Sequence, residues 1–315
     1  MPGVVTSPFG SLAVIANPQD GDGKVGDELP ALERALTQRD LDYRLTVTSL
    51  RDETMEAAAS ALDEGVRFVV AVGDDGTVQD VVNGMFRDGA PIVMDPVLGV
   101  VAATGGNELV RSFGLPRDTE GGVQRLMGET TYPMDVMKIT CRARPGDGEV
   151  VRYATNMAQL GLGAQVALGR ARLPPWLGER GRAFIGFWGG YVRTRNRSVR
   201  VAYDTKSWEG TAFQVLVGNA QFTAGGLRMS PRSWPGDGVI DALVFTGNKS
   251  DAYTMMPRIL RHGDHLPDPN ITELRAKIRF AIETDRPLAV VADGTLLGTT
   301  PATFQVVPQQ ILFKM

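Results

Sequence analysis

Residues 68 to 84 read Phe68-Val69-Val70-Ala71-Val72-Gly73-Asp74-Asp75-Gly76-Thr77-Val78-Gln79-Asp80-Val81-Val82-Asn83-Gly84, and their reading decides the fold. The apolar run Phe68 to Val72 predicts a buried strand, and Val78 to Met85 predicts the opening of a helix. Between them lies a small, acidic, glycine-bearing turn. Such a strand-to-helix turn leaves backbone N–H groups unpaired at a helix N-terminus, where the partial positive charge favours a phosphate. The same residues also suit an ordinary connection, because glycine and aspartate are common turn formers.

Upstream, Leu12 to Ala16 predicts a strand that ends at Asn17-Pro18 and enters the loop Gln19-Asp20-Gly21-Asp22-Gly23-Lys24. A helix over Glu28 to Thr37 follows, with Leu29, Leu32 and Leu36 on its apolar face. Tyr43 to Val47 predicts the next strand, followed by Thr48, Ser49 and a helix bearing Met55, Ala58, Ala59 and Leu62. Strand and helix alternate three times. This order predicts a parallel sheet with the loops near Asn17, Thr48 and Asp75 gathered at one cleft. Downstream, Pro91 to Met94 and Leu98 to Ala102 offer further strands. Thr104-Gly105-Gly106-Asn107-Glu108 is a second glycine-rich loop, entering a helix that Gly114-Leu115-Pro116 stops.

After about Met137 the texture changes to short strand candidates: Val151 to Met157, Val199 to Ala202, Phe213 to Gly218 and Val239 to Phe245. Turn signals such as Pro145-Gly146-Asp147-Gly148 and Pro235-Gly236-Asp237-Gly238 separate them, so this half reads as all-β. Strand patterns recur at Ala289 to Ala292 and Phe304 to Val307. The expected organisation is an α/β domain over residues 1–138 and a β domain over 139–302.

At 315 residues the chain has room for two domains, and its net charge of −3 gives no global reason to expect nucleic acid. A single cysteine, Cys141, excludes a disulfide within the chain and a cysteine-rich metal site, which fits a reducing cytoplasm. The first residues lack the basic stretch of a signal peptide, and no apolar run approaches the ~20 residues that span a bilayer. The expectation is a cytoplasmic protein free to visit a membrane surface.

Taken together, these residues resemble the diacylglycerol kinase catalytic-domain family, in particular the soluble bacterial lipid kinases. Asn17-Pro18 with Gly21 resembles the family's Asn-Pro-x-x-Gly loop, and Gly73-Asp74-Asp75-Gly76-Thr77 its Gly-Gly-Asp-Gly-Thr signature, continued by Val81-Val82-Asn83-Gly84. Thr104 to Glu108, with Arg111 and Gly114-Leu115-Pro116, resembles the Gly-Thr-x-Asn-Asp loop and its helix. Asp135-Val136, Asn156, Leu160-Gly161-Leu162-Gly163-Ala164, Asn219, Gly225-Gly226, Pro231 and Asp237-Gly238-Val239-Ile240-Asp241 resemble the later landmarks. NAD kinases share the first signature and the general architecture.

The resemblance implies an α/β nucleotide domain with a parallel sheet and a C-terminal antiparallel β-sandwich, with ATP and lipid meeting between them. The last strand, within 303–315, is expected to return to the first domain. It also implies an ATP- and Mg2+-dependent transfer of the γ-phosphate to a lipid hydroxyl such as that of diacylglycerol. The alternative is a catalytically degenerate lipid- or nucleotide-binding member of the same fold. Nucleotide contacts are expected from Asn17, Thr48, Gly73, Asp74, Gly76, Thr77, Thr104, Gly105, Asn107 and Glu108. Thr48 equally suits a helix N-cap. Asp75 is expected to orient magnesium or its water shell. Asp237 and Val239 resemble a structural magnesium site, and a plain turn explains them equally. His262 and His265 lack a convincing third ligand for a metal.

Three departures stand out. Asp74 replaces a glycine, and a carboxylate ~4 Å from a phosphate charge would cost on the order of 4 kcal/mol at an effective dielectric near ~20. The second loop reads Thr104-Gly105 in reversed order and ends on Glu108. Finally, the family's Asp-Gly-Glu, whose Glu is the expected general base, reads Asp293-Gly294-Thr295. A threonine hydroxyl is a poor base near neutral pH, which leaves Asp293 as the nearest carboxylate. A hairpin turn is the plain reading of Asp293-Gly294.

The segment Arg170 to Arg200 interleaves arginines with Trp176, Phe184, Phe187, Trp188 and Tyr191. It suits either a peripheral contact with anionic headgroups at the inner membrane face or a helix packing its aromatics on the β domain. A homodimer is compatible with the resemblance.

Overall fold

The computed structural model describes residues 7–103, 107–143, 146, 148–223, 225–251, 255, 258 and 263–315, without the side chains of Pro175, Glu179 and Arg180. The chain divides into two compact units, Met1–Val136 with Ala224–Gly226 and Pro308–Met315, and Met137–Thr223 with Leu227–Val307.

In the first unit the chain runs β1 (Leu12–Ala16), α1 (Lys24–Gln38), β2 (Tyr43–Val47), α2 (Arg51–Asp63), β3 (Phe68–Val72), α3 (Asp75–Gly84), β4 (Phe86–Arg87), β5 (Ala90–Pro91), β6 (Val97–Val101), α4 (Glu108–Ser112) and α5 (Thr119–Leu126). Strands β2, β1, β3 and β6 lie side by side in that order, all parallel. Every residue of β1, β3 and β6 is buried, which explains why they read as unbroken apolar runs. Ala16 lies opposite both Val47 and Val72. Hence Asn17, Thr48 and Gly73, each the first residue beyond its strand, leave the sheet at one edge.

Helices α2 and α3 cross closely at Gly84. A Cβ there would strike the Met55 carbonyl and lie 2.8 Å from Ala58 Cβ. One strand expectation fails. Pro91 to Met94 forms no strand of its own; Ala90–Pro91 makes a two-residue hairpin with Phe86–Arg87, and Met94 is exposed. Proline carries no N–H for a ladder, and Pro96 follows closely.

The second unit takes β7 (Thr131–Arg142) from Met137 onward, β8 (Glu149–Ala154), β9 (Met157–Gly161), α6 (Leu162–Ala171), α7 (Gly178–Arg193), β10 (Arg197–Tyr203), β11 (Lys206–Ala212), β12 (Gln214–Gly218), β13 (Phe222–Thr223), β14 (Leu227–Arg228), β15 (Ile240–Phe245), β16 (Ile271–Ala276), β17 (Arg279–Thr284), β18 (Ala289–Ala292) and β19 (Thr295–Lys314) as far as Val307. Strands β16, β15, β12, β9 and β18 form one antiparallel array, and β11, β10 and β17 a second. A single apolar cluster draws Leu160, Val215, Val244 and Val290 from the first array and Val199, Val201, Phe280 and Ile282 from the second. The two inner faces therefore share one core, as in a β-sandwich.

This half is not all-β, contrary to the sequence expectation, because α6 and α7 form an antiparallel pair within it. Glycines make the pairing possible. A Cβ on Gly186 would lie 3.1 Å from the Arg170 nitrogen, and one on Gly190 would lie 2.8 Å from that of Val166. Small residues at such spacing let helix backbones approach, and glycine-rich sequence reads locally as turn. Strand β19 is far longer than the Phe304 to Val307 expectation. Its Pro308–Lys314 end belongs to the first unit, where Leu312 and Phe313 pair in parallel with Val97 and Leu98 of β6.

Candidate functional site

In the first unit the turn after β3 is built by two carboxylates. Asp74 is the N-cap of α3, and its Oδ1 accepts from the backbone N–H of Gly76 at 2.9 Å and of Thr77 at 3.4 Å. Aspartate is a favoured cap because it satisfies donors that the first helical turn leaves unpaired. Asp20, from the loop after β1, accepts the Asp74 N–H at 3.1 Å and the Thr77 hydroxyl at 2.5 Å through Oδ2. Its other oxygen accepts from Asn17 Nδ2 at 2.9 Å. Gly73 adopts φ 156°, and a Cβ at this position would run into the Asp20 carboxylate.

Burial, reinforced by the Asp74 charge, pushes the Asp20 carboxyl up to about 7. Asp20 is the site residue that sequence reading missed. Its only signal was its place one residue before Gly21 in the loop that Asn17 opens.

Asp75 turns the other way. Its Oδ1 accepts the Glu108 N–H at 2.9 Å, tying the first loop to the second. Glu108 itself is buried: Oε2 accepts from Arg111 Nε at 2.7 Å and Oε1 from the Gly226 N–H at 2.9 Å. Burial raises its carboxyl above the usual range despite Arg111. Asn107 caps α4, accepting the Val110 N–H at 3.0 Å, and its buried Nδ2 meets no described partner. Thr104 and Gly105 lie outside the described residues.

Thr48 is buried, its hydroxyl 2.8 Å from that of Thr54. It is not a helix N-cap. That position is Leu50, and the Glu53 carboxylate accepts the N–H groups of Ser49 at 2.9 Å and Leu50 at 3.1 Å instead.

In the second unit Asp293 and Gly294, at φ 46° and 82°, form the two-residue turn between β18 and β19. Two positive φ angles are those of a type I′ hairpin. The Asp293 carboxylate is buried against the Thr155–Met157 backbone. It accepts N–H groups from Thr155 at 2.7 Å, Asn156 at 3.2 Å and Met157 at 3.0 Å, and the Thr155 hydroxyl at 3.2 Å. Asn219 braces the same segment from behind, donating Nδ2 to the Thr155 carbonyl at 2.8 Å. Burial outweighs these donors and pushes the carboxyl up to about 6.

Asp237 Oδ1 accepts the Val239 N–H at 3.1 Å, the geometry of an Asx turn. Arg275 spans Asp237 at 3.2 Å and Asp241 at 2.9 Å. Here the Arg275 guanidinium supplies positive charge to the Asp237 and Asp241 carboxylates, and Val239 meets Asp237 through its N–H. Among the described residues no group of three or more His, Cys, Asp or Glu side chains is placed to hold a metal ion. His265 is a core residue, stacked on Phe245 with Nε2 3.0 Å from the Met229 carbonyl, while His262 lies outside the described residues.

The diacylglycerol kinase catalytic domain matches residues 11–139, and the YegS C-terminal NAD kinase beta sandwich-like domain matches residues 191–313. The chain carries a diacylglycerol kinase catalytic domain followed by a YegS-type beta sandwich-like domain. It is 23% identical to the diacylglycerol kinase of Bacillus subtilis, over 92% of this chain and 91% of that protein. Its identity to the Staphylococcus epidermidis diacylglycerol kinase is 26%, over 95% and 90%. A probable lipid kinase YegS-like protein of Stenotrophomonas maltophilia is 23% identical over 80% of each chain. Among solved structures, a Bacillus anthracis diacylglycerol kinase superposes with a TM-score of 0.68 at 19% identity, covering 98% of this chain and 97% of that one. Yeast NADH kinase complexed with NADH reaches 0.50 at 11% identity, over 96% and 82%. The parallel sheet followed by an antiparallel sandwich is thus the fold of the family, as the motifs implied.

Proposed function

We propose that this chain is an ATP- and magnesium-dependent lipid kinase that transfers the γ-phosphate to the hydroxyl of diacylglycerol or a related lipid alcohol. The observation that carries the reading is the Gly73–Thr77 turn at the edge of a parallel sheet, in a chain similar to diacylglycerol kinases over nine-tenths of its length. The residues fit a hard divalent ion. Asp20 and Asp74 crowd like charge at the loop, and magnesium is commonly held by one or two carboxylates together with substrate phosphates. Asp20 is the carboxylate that would hold it together with substrate phosphates, whose charge the ion would neutralise. For the loop to receive a phosphate, Asp74 must first release the N–H groups of Gly76 and Thr77.

Phosphoryl transfer depends chiefly on positioning and electrostatics, so a chain without a strong base retains a slow reaction. General-base catalysis contributes typically ~10²–10⁴-fold. Thr295 supplies none, and every Asp293 oxygen already accepts backbone donors. The second reading, a lipid- or nucleotide-binding protein whose catalysis has decayed, is favoured by these same two residues.

Peripheral contact with an anionic membrane fits helix α7. Its Phe184 and Val192 are 67% and 70% exposed, Trp188 stands between them, and the neighbouring Trp176 is 81% exposed, among arginines. No described helix is long and apolar enough to cross a membrane.

The test is phosphate transfer from labelled ATP to a panel of lipid alcohols with magnesium. Slow transfer is expected, and Thr295→Glu should raise kcat by ~10²-fold. No transfer by the folded wild-type protein, with activity appearing only in Thr295→Glu, would establish the decayed reading instead.

A further inference from the structure

Among the described residues of the first unit, three large apolar side chains are exposed: Val47, Leu50 and Met94. Met94 precedes β6 and so lies toward the N-terminal edge of the parallel sheet, whereas Val47 ends β2 and Leu50 leads into α2 at the C-terminal edge. Leu50 is also an unusual residue for its place. It is the N-cap of α2, where a side-chain oxygen is favoured and leucine is among the poorest choices, yet it stands 63% exposed. Neither helix capping nor core packing accounts for it.

The topology sets what lies beside it. The chain leaves β1 for β2 on one side and then crosses to β3 on the other, so the strand order reverses between β1 and β3. Open α/β sheets bind ligands outside the strand ends at such a switch point. Here Asp20, after β1, meets the Asp74 N–H and the Thr77 hydroxyl in the turn after β3. A phosphate on that turn leaves the rest of its molecule two ways to run. Toward β6 it meets Asn107, Glu108 and Arg111, with the Glu108 N–H joined to the turn through Asp75. Toward β2 it meets Val47 and Leu50. Arg51, next to Leu50, grips both Asp80 oxygens from Nε at 3.0 Å, and Asp80 lies about one turn of α3, ~6 Å along the axis, from Gly76.

Of the parts of a nucleotide, the flat faces of the base gain most from an apolar surface. We propose that a nucleoside triphosphate runs from the Gly73–Thr77 turn across the end of β1 toward β2, with its base against Leu50 and Val47. The inference rests on the reading of that turn as a nucleotide phosphate site, and goes beyond it by naming the direction of the ligand and the side chains under the base. The loop's own N–H groups are engaged, Thr48 with the Ala16 carbonyl at 2.9 Å and Ser49 and Leu50 with Glu53, so the base is held by contact area.

The full chain is titrated calorimetrically with Mg-ATP and with magnesium tripolyphosphate, which carries the phosphates without the base. In Leu50→Asn the affinity for Mg-ATP should fall on the order of tenfold while that for tripolyphosphate stays within about twofold. The melting temperature without ligand should rise, because asparagine caps α2. Affinity and stability moving in opposite directions is a result that a merely structural role for Leu50 does not give. Leu50→Met, which keeps the apolar contact, and Met94→Asn, at the opposite edge, should both bind Mg-ATP as the wild type does. Unchanged Mg-ATP affinity in Leu50→Asn, or an equal loss for tripolyphosphate, overturns the proposal and leaves the kinase reading standing. A folded wild type that binds neither probe overturns both.

Discussion

Asp74 holds the two backbone donors that a phosphate at the start of α3 would use. Where the sequence suggested only repulsion across a few ångströms, the structure adds occupancy, because the carboxylate sits on Gly76 and Thr77 N–H. Asp74→Gly should therefore tighten binding of Mg-ATP roughly tenfold, about 1.4 kcal/mol, and lower stability by only a few tenths of a kcal/mol, since glycine is tolerated at a cap. Asp74→Asn keeps a cap and loses the charge, so its affinity should fall between the two. Calorimetry reads all three, and an unchanged affinity in Asp74→Gly would sink the idea that this turn receives a phosphate. The glycine at position 73 was legible as part of a motif. Its cause was not: the Asp20 carboxylate that forbids a Cβ comes from a loop 53 residues upstream, and such a contact leaves no local pattern.

At the scale of elements, legibility followed periodicity. Strands β1, β3 and β18 were placed from apolar runs, β2 from its place between two helical patterns, and the Asp293-Gly294 hairpin from its turn chemistry. Helix α7 was legible as one of two readings of the arginine- and aromatic-rich segment after Arg170, whereas α6 escaped, because glycine at the contact face, a strong asset in helix packing, is a turn signal when read along the chain. The Asp237–Asp241 segment shows a different limit. Its residues match a cation-binding pattern, and the positive charge they meet in the structure is Arg275, contributed by β16 more than 30 positions away. Arg275 is 56% exposed, so Arg275→Ala should cost no more than about 1 kcal/mol, read by urea denaturation. Millimolar magnesium should raise the melting temperature of that variant and leave the wild type unmoved.

Across the whole molecule, two buried carboxyls in different units act in the same direction. Burial holds the Asp20 proton to about 7 and the Asp293 proton to about 6, above the ~3.9 of an unfolded aspartate. The folded state thus binds more protons than the unfolded state over this interval, and the stability these groups contribute at low pH is lost as pH rises through 6 and 7. The melting temperature should fall between about pH 5 and about pH 8, and Asp20→Asn should flatten the slope. A scan by differential calorimetry checks this, and a wild-type melting temperature that rises across the interval would refute it.

Strand β19 has a consequence for biosynthesis. The sheet of the first unit is closed on its β6 side by Leu312 and Phe313, which are translated roughly 200 residues after their partners Val97 and Leu98. A ribosome adding ~5–20 residues per second needs roughly 10–40 s to travel from the end of β6 to that partner. Throughout that interval the nascent chain carries an apolar strand edge with open N–H and C=O groups, the kind of surface that pairs with other chains. Chaperone demand during synthesis is therefore set by the order of the elements along the chain, and a ribosome stalled shortly before residue 308 would release a product with that edge uncovered.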